Sequence, residues 1–297
     1  MSVIRIGTRG SKLALAQTNR VAALLEEQGV RTEIEIISTR GDRVTDRALH
    51  EAGGYGLFVR ELDNAILDGR IDAAVHSMKD IPAERPAGLV LSAVLKRDPP
   101  FDFLAVEKPM EEVSTIGTSS LRRRAQLLRH YHQYPEMHVA NLRGNIDTRL
   151  AKLESGEYDA IVLAEAALIR LGLHVHGFRL SADSFVPAPN QGTIAVVSRD
   201  TAELRAAFAP LNDSQTAFDT AAERAVMEEI GGGCFTPQGV YCQGGKILAE
   251  ILSLDGTKSC RVEGMISSVE EAHDIGRELK ERAADLIAAA RRVVEGE

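Results

Sequence analysis

The sequence predicts an α/β protein of two duplicated domains around a cleft, with a small α+β domain at the C-terminal end. Three observations carry that expectation. Short blocks repeat in the same order within the first two thirds of the chain, each copy alternates strand and helix patterns, and a third unit with its own pattern follows. The repeated blocks are IGTRGSKLALAQ (6–17) with IGTSSLRRRAQL (116–127), STRGD (38–42) with NLRGN (141–145), and DGRIDAAVHS (68–77) with SGEYDAIVLA (155–164). Chance supplies any one such match, but the ordered set signals a duplicated unit.

Each copy opens on a short β-rich start, VIRIG or STIG, followed by helix-opening serines or threonines. RELDNAILDGR and TRLAKLESGEY then place apolar residues at helical spacing and end near glycine. DAAVHS and DAIVLA read as short buried strands of a parallel sheet. Domains of this kind bind ligands outside the carboxyl ends of their strands. The loops there are Thr8 to Ser11, Arg40 to Asp42, His76 to Asp80, Thr118 to Arg123 and Arg143 to Asn145. PAPNQGTIAVVSR (187–199) is loop then strand, expected to return to the first sheet. The third unit reads as a helix (TAFDTAAERAVMEEI), a cysteine loop, β-rich stretches (GVYCQGGKILAEILSLDG) and one closing amphipathic helix (VEEAHDIGRELKERAADLIAAARRVV). The expected boundaries are 1–95 with 188–208 returning to it, 96–187, and 209–297.

At 297 residues the chain suits two or three domains, and 44% hydrophobic content is ordinary for a globular protein. A net charge of −8 argues against a nucleic-acid or membrane-surface binder. A single-strand binder would also want interleaved aromatics, and the chain has no Trp and only 4% aromatic residues. No apolar run reaches the ~18 residues of a spanning helix, and the start, MSVIRIGTRG, has no secretory h-region. The three cysteines, 234, 242 and 260, have neither a disulfide framework nor CxxC spacing, so no metal site is expected and a reducing cytoplasm is the simplest home.

Despite the acidic total, the strand-end loops are rich in arginine: Arg9, Arg40, Arg122, Arg123, Arg143 and Arg149. A guanidinium binds carboxylate or phosphate through two parallel hydrogen bonds. Thr118, Ser119 and Ser120 stand at a helix start, where free N–H groups favour an anion. LRRRAQLLR alone would more often be a solvated helix face. HSMKD (76–80) sets an imidazole, an ammonium and a carboxylate on one post-strand loop. There Asp80 reads either as a general acid or cation stabiliser beside Lys79, or as a helix cap. Cys234 follows three glycines in GGGCFTPQG, a placement that suits a thiol on a movable loop, open to covalent work.

Together, IGTRGSKLALAQ, STRGD, GGYGLFVREL, AVHSMKDIP, IGTSSLRRRAQL, NLRGNIDTRL, YDAIVLA, NQG and GGGC resemble, in order, the porphobilinogen deaminase family. The resemblance implies type II periplasmic-binding-protein-like domains. It implies a transferase that joins four porphobilinogen molecules head to tail, losing ammonia each time, and releases the linear tetrapyrrole hydroxymethylbilane with water. It implies a dipyrromethane cofactor held by thioether to Cys234, and Asp80 as the catalytic aspartate with Lys79 and Arg9. By motif position Ser11, Lys79, Asp80, Thr118, Ser120, Arg122, Arg123, Arg143, Arg149 and Arg170 become cofactor or substrate contacts. The pyrrole acetates and propionates would account for an arginine-rich cleft in an acidic protein. A cytoplasmic monomer with no nucleic-acid or membrane partner is expected. The reading weighed against it is a non-catalytic small-anion binder of the same two-domain build, which leaves Cys234 and Lys79–Asp80 without a role. Tyr55 in GGYG stands where many relatives carry lysine and is expected to pack over a pyrrole, and DPPFDF replaces the usual DPRD.

Overall fold

The computed structural model describes residues 3–38, 57–82, 85–134, 136–231 and 236–295. In chain order they form β1 (Ile4–Thr8), α1 (Lys12–Glu26), β2 (Thr32–Ile36), α2 (Leu57–Leu67), β3 (Ala73–Ser77) and β4 (Leu89–Val94). Then come β5 (Asp102–Val106), β6 (Thr115–Gly117), α3 (Leu121–His130), β7 (His138–Ala140), α4 (Ile146–Glu154), β8 (Ala160–Ala164), α5 (Glu165–Arg170) and β9 (Gly177–Arg179). The chain continues with β10 (Ile194–Arg199), α6 (Ala202–Phe208), α7 (Ser214–Ile230), β11 (Gln238–Gln243), β12 (Lys246–Leu252), β13 (Ser259–Met265), α8 (Val269–Arg282) and α9 (Ala284–Glu295).

Two compact units result. One comprises Met1–Pro99, Ile169–Gly172 and Gly192–Ala217; the other comprises Pro100–Leu168, Leu173–Gln191 and Phe218–Glu297. The first unit's sheet has the order β2-β1-β3-β10-β4, and the second unit's larger sheet has the order β7-β6-β8-β5-β9. In each, three strands run parallel and the next runs antiparallel to its neighbours: β10 between β3 and β4, and β5 between β8 and β9. The repeated sequence blocks therefore fold into the same frame, as the α/β expectation requires.

Local chemistry explains why the copies match. Ser11 caps α1 by accepting from Ala14 N at 3.3 Å, and Ser120 caps α3 by accepting from Arg123 N at 3.4 Å. Each serine satisfies one of the helix's orphan amides. Gly7 and Gly117, in the paired IGT blocks, lie where a helix-side neighbour presses on the strand. A Cβ at Gly7 would meet Ile71 Cδ1 at 2.3 Å, and one at Gly117 would meet Tyr158 Cδ1 at 2.7 Å. Ile6, Val75 and Val196 fill one side of the first sheet, and Leu104, Ile116 and Val162 one side of the second.

The second unit also holds a small antiparallel sheet, β11-β12-β13, whose core includes Val226, Val240, Ile247, Ile251 and Leu279. Here one expectation is corrected. The closing segment is two helices, α8 and α9, that part at Ala283. Leu279, Ala283 and Ile287, spaced by four, line one face across the junction, and all three lie in the core.

Candidate active site

In the first unit, β3 delivers the HSMKD stretch. His76 and Ser77 belong to the strand, and Met78–Asp80 form a single 3₁₀ turn. Asp80 ends that turn, so it caps no helix of its own. It stays open to water although protein crowds it on most sides. That crowding pushes its carboxyl above the usual carboxylate range, while Lys79, Arg9 and Arg170, in falling order, pull it back. Among the described residues Asp80 makes no hydrogen bond or ion pair. A carboxylate in the field of three cations, with its oxygens unspent, is poised to meet positive charge brought by a ligand.

Lys79 and Arg9 are half-buried. Arg170, nearly buried, gives Nε to Asp98 at 2.8 Å and Nη2 to the Gly192 carbonyl at 2.6 Å. Its field still reaches Asp80. Ser11, besides capping α1, lies in the same strand-end region as Arg9. His76 does not join this group, which corrects the sequence reading. It is 6% exposed within the sheet, and its pKa is pushed down to about 3 by burial, then by Arg85 and Arg9. A neutral imidazole buried in a strand is not part of the loop's charge.

In the second unit the arginines gather at the start of α3, and the solvated-face reading of LRRRAQLLR fails there. Arg122 and Arg123 are 6% and 7% exposed. Both bind Asp102, which is fully buried at the start of β5. Arg123 spends its whole fork: Nε and Nη2 reach Asp102 Oδ1 at 3.0 and 2.7 Å, and Nη1 reaches the Val162 carbonyl at 2.9 Å. Arg122 spends only Nη1, on Asp102 Oδ2 at 2.6 Å and the Val186 carbonyl at 2.7 Å. Its Nε and Nη2 make no hydrogen bond to described residues. Burial by itself would raise the Asp102 carboxyl, but Arg122 and Arg123 hold it far below the usual range.

Arg149, whose Nε donates to the Gly144 carbonyl at 2.8 Å, has its pKa lowered to about 10 by burial and then by Arg123. Two guanidiniums thus share one carboxylate with a third, Arg149, in the field of Arg123, a net positive cluster that favours an anion. Thr118 is buried, its hydroxyl accepting from Ser120 N at 3.2 Å, and Ser119 Oγ donates to the Leu142 carbonyl at 2.7 Å. Arg143 is half-buried on the loop after β7.

Asp102 is the residue the sequence reading missed, and Gln191, present there only in the NQG motif, had no role assigned. Gln191 Nε2 donates to Asp102 Oδ1 at 3.0 Å and to the Pro100 carbonyl at 2.7 Å. The available signal was a lone acid heading the apolar run DFLAV. Cys234, Tyr55, Arg40 and Asp42 lie outside the described residues. Of the other cysteines, Cys242 is buried on β11 with its thiol pushed well above the usual range by burial and by Asp219, which makes it unreactive.

Comparison with known proteins gives these arrangements a context. Among solved structures, a periplasmic substrate-binding protein of an ABC transporter from Coxiella burnetii is similar over 72% of this chain and 94% of its own, at 15% identity and a TM-score of 0.43. A probable porphobilinogen deaminase from Methanosarcina acetivorans is 50% identical over 95% of this chain and 93% of its own. A porphobilinogen deaminase from Sulfurimonas denitrificans is 38% identical over 94% of this chain and 93% of its own. Residues 4–206 match the family model described as "Porphobilinogen deaminase, dipyromethane cofactor binding domain", and residues 217–285 match "Porphobilinogen deaminase, C-terminal domain". The chain belongs to the porphobilinogen deaminase family.

Proposed function

We propose that this protein is a transferase that condenses porphobilinogen head to tail with loss of ammonia and releases hydroxymethylbilane, working with a dipyrromethane held by thioether to Cys234. Four substrate molecules are joined per product. The domains are read as 1–95 with 188–208, then 96–187 and 209–297, in a cytoplasmic monomer that engages neither nucleic acid nor membrane. Among the described residues no helix is long and apolar enough to cross a membrane.

The residues suit such a cofactor. When bound, a dipyrromethane supplies the pyrrole carbon at which the chain is extended, and its acetates and propionates bring several negative charges. Arg122 and Arg123 share one carboxylate, Arg149 stands in the field of Arg123, and Arg122 makes no hydrogen bond to described residues through Nε and Nη2, so the cluster has positive charge left for those anions. Thr118, Ser120 and Arg143 border it.

The observation that carries the catalytic assignment is Asp80, a carboxylate without a hydrogen bond to the described residues and in the field of Lys79 and Arg9. Asp80 stabilises the positive charge that develops on substrate pyrrole nitrogen as the C–N bond breaks and ammonia leaves. An upward-pushed carboxylate is also the better base for the ring proton lost when the new C–C bond forms. Lys79, Arg9 and Ser11 hold substrate carboxylates, and Arg170, anchored on Asp98, adds a fixed positive field.

The test is the intact mass of the purified protein together with ammonia release from porphobilinogen. An excess equal to two condensed porphobilinogen units, lost in Cys234→Ser, is expected, with turnover abolished in that variant. An adduct that persisted in Cys234→Ser would place the attachment elsewhere.

A further inference from the structure

Glu223, on α7, is 0% exposed, and a buried carboxylate needs a reason. Its two oxygens serve two different segments. Oε1 accepts from Cys242 N on β11 at 2.8 Å, and Oε2 accepts from Asn190 N at 2.5 Å. α7 and β11 are the elements that flank residue 234 in the sequence. Asn190 has φ of 63°, a left-handed conformation that a residue with a side chain rarely adopts without support. The next residue is Gln191, whose amide binds Asp102 at 3.0 Å, and Asp102 in turn orients Arg122 and Arg123.

We infer that Glu223 is a positioning residue for the arginine cluster. It acts through the Asn190–Gln191 turn and Asp102, and ties that cluster to the stems on either side of the Cys234 segment. The chemistry explains why the residue is an acid. Two converging N–H donors need two acceptor oxygens on one side chain, and only a carboxylate provides both. A glutamine would turn its NH₂ toward one of them, leaving two donors face to face. The inference rests on the porphobilinogen deaminase reading, since the cluster's ligand is taken from it.

The experiment compares wild type, Glu223→Gln, Gln191→Met and the double variant, all as purified holoenzyme. The readouts are KM and kcat for porphobilinogen, the adduct-bearing fraction by intact mass, and thermal melts. Each single variant is expected to raise KM about tenfold and to lower the adduct fraction, with the acid limb of the kcat profile unmoved. The double variant is expected to be no worse in KM than Gln191→Met, because both changes break one route. Additive KM effects, or a wild-type KM in either single variant, would overturn the proposal. If Glu223→Gln does not fold, Gln191→Met alone decides: a raised KM supports the route and an unchanged one removes it. A wild-type protein with neither adduct nor turnover would instead count against the family activity itself, which keeps the two failures distinct.

Discussion

Set side by side, the acids that head the charge clusters of the two repeats behave in opposite ways. Asp80, after β3, is open to water, unpaired among described residues and pushed upward in pKa. Asp102, at the start of β5, is sealed, bound by two arginines and a glutamine, and held far down. The frames around them are the same, with matching strand order, matching serine caps and matching crowded glycines. After β8 the second repeat has no counterpart of Lys79–Asp80; it runs straight into α5, whose Glu165 pairs with Arg179 at 2.8 Å. Duplication thus left one copy to present an unspent negative charge and the other to neutralise its own acid and present positive charge.

The hardest blow to this contrast should come from Asp102→Ala. Removing the shared partner leaves two buried guanidiniums uncompensated, a loss of about 3–5 kcal/mol in stability. Chemical denaturation should show it directly, and a variant as stable as wild type would mean that the pair contributes nothing. Asp80→Asn should do the reverse. Its melt should stay near wild type while single-turnover ammonia release falls a hundredfold or more, about 3 kcal/mol in barrier. Asp80→Glu keeps the charge and should retain more activity than the amide. A rate in Asp80→Asn above about a tenth of wild type would take the catalytic charge away from Asp80.

Acid should separate the two groups as well. Asp102 is held below its unfolded value, so its contribution to stability is complete above about pH 3.9 and is lost as pH falls below it. Asp80 is pushed above the same reference, so the acid limb of kcat should lie above about pH 3.9, the rate falling as protonation removes the charge. Stability profiles of wild type and Asp102→Asn, and kcat profiles of wild type and Asp80→Glu, check both limbs. An acid limb of kcat below that reference would mean that the cations outweigh the crowding.

Smaller changes sharpen the common frame. Gly7→Ala and Gly117→Ala should each cost about 1–3 kcal/mol by overpacking, with Gly117 the worse because the Tyr158 ring and Leu142 Cβ yield less readily than the Ile71 terminal methyl. Equal melts for both variants and wild type would show that the side chains yield freely. Ser11→Ala and Ser120→Ala should each cost about 1 kcal/mol as lost caps. A larger loss of turnover than of stability in either would assign that serine a ligand contact beyond its cap.

Much of this was legible in the chain. The duplicated blocks, the strand and helix alternation, the caps and the acid–ammonium pair of HSMKD depend on residues near one another, and apolar periodicity selects a buried face wherever it occurs. The family motifs added the cofactor and the reaction. What the tertiary structure decided is charge. It put His76 into a strand and held it neutral, broke the last helix at Ala283, and turned an arginine-rich helix start inward onto Asp102 and Gln191. It also left Asp80 without a hydrogen bond to the described residues while Asp98 took Arg170. Partners such as Arg122 and Asp102, or Gln191 and Asp102, are brought together only by the packed fold. The strength of a charge depends on which groups lie within a few ångströms and how much water is excluded, and neither is written in a local run of residues.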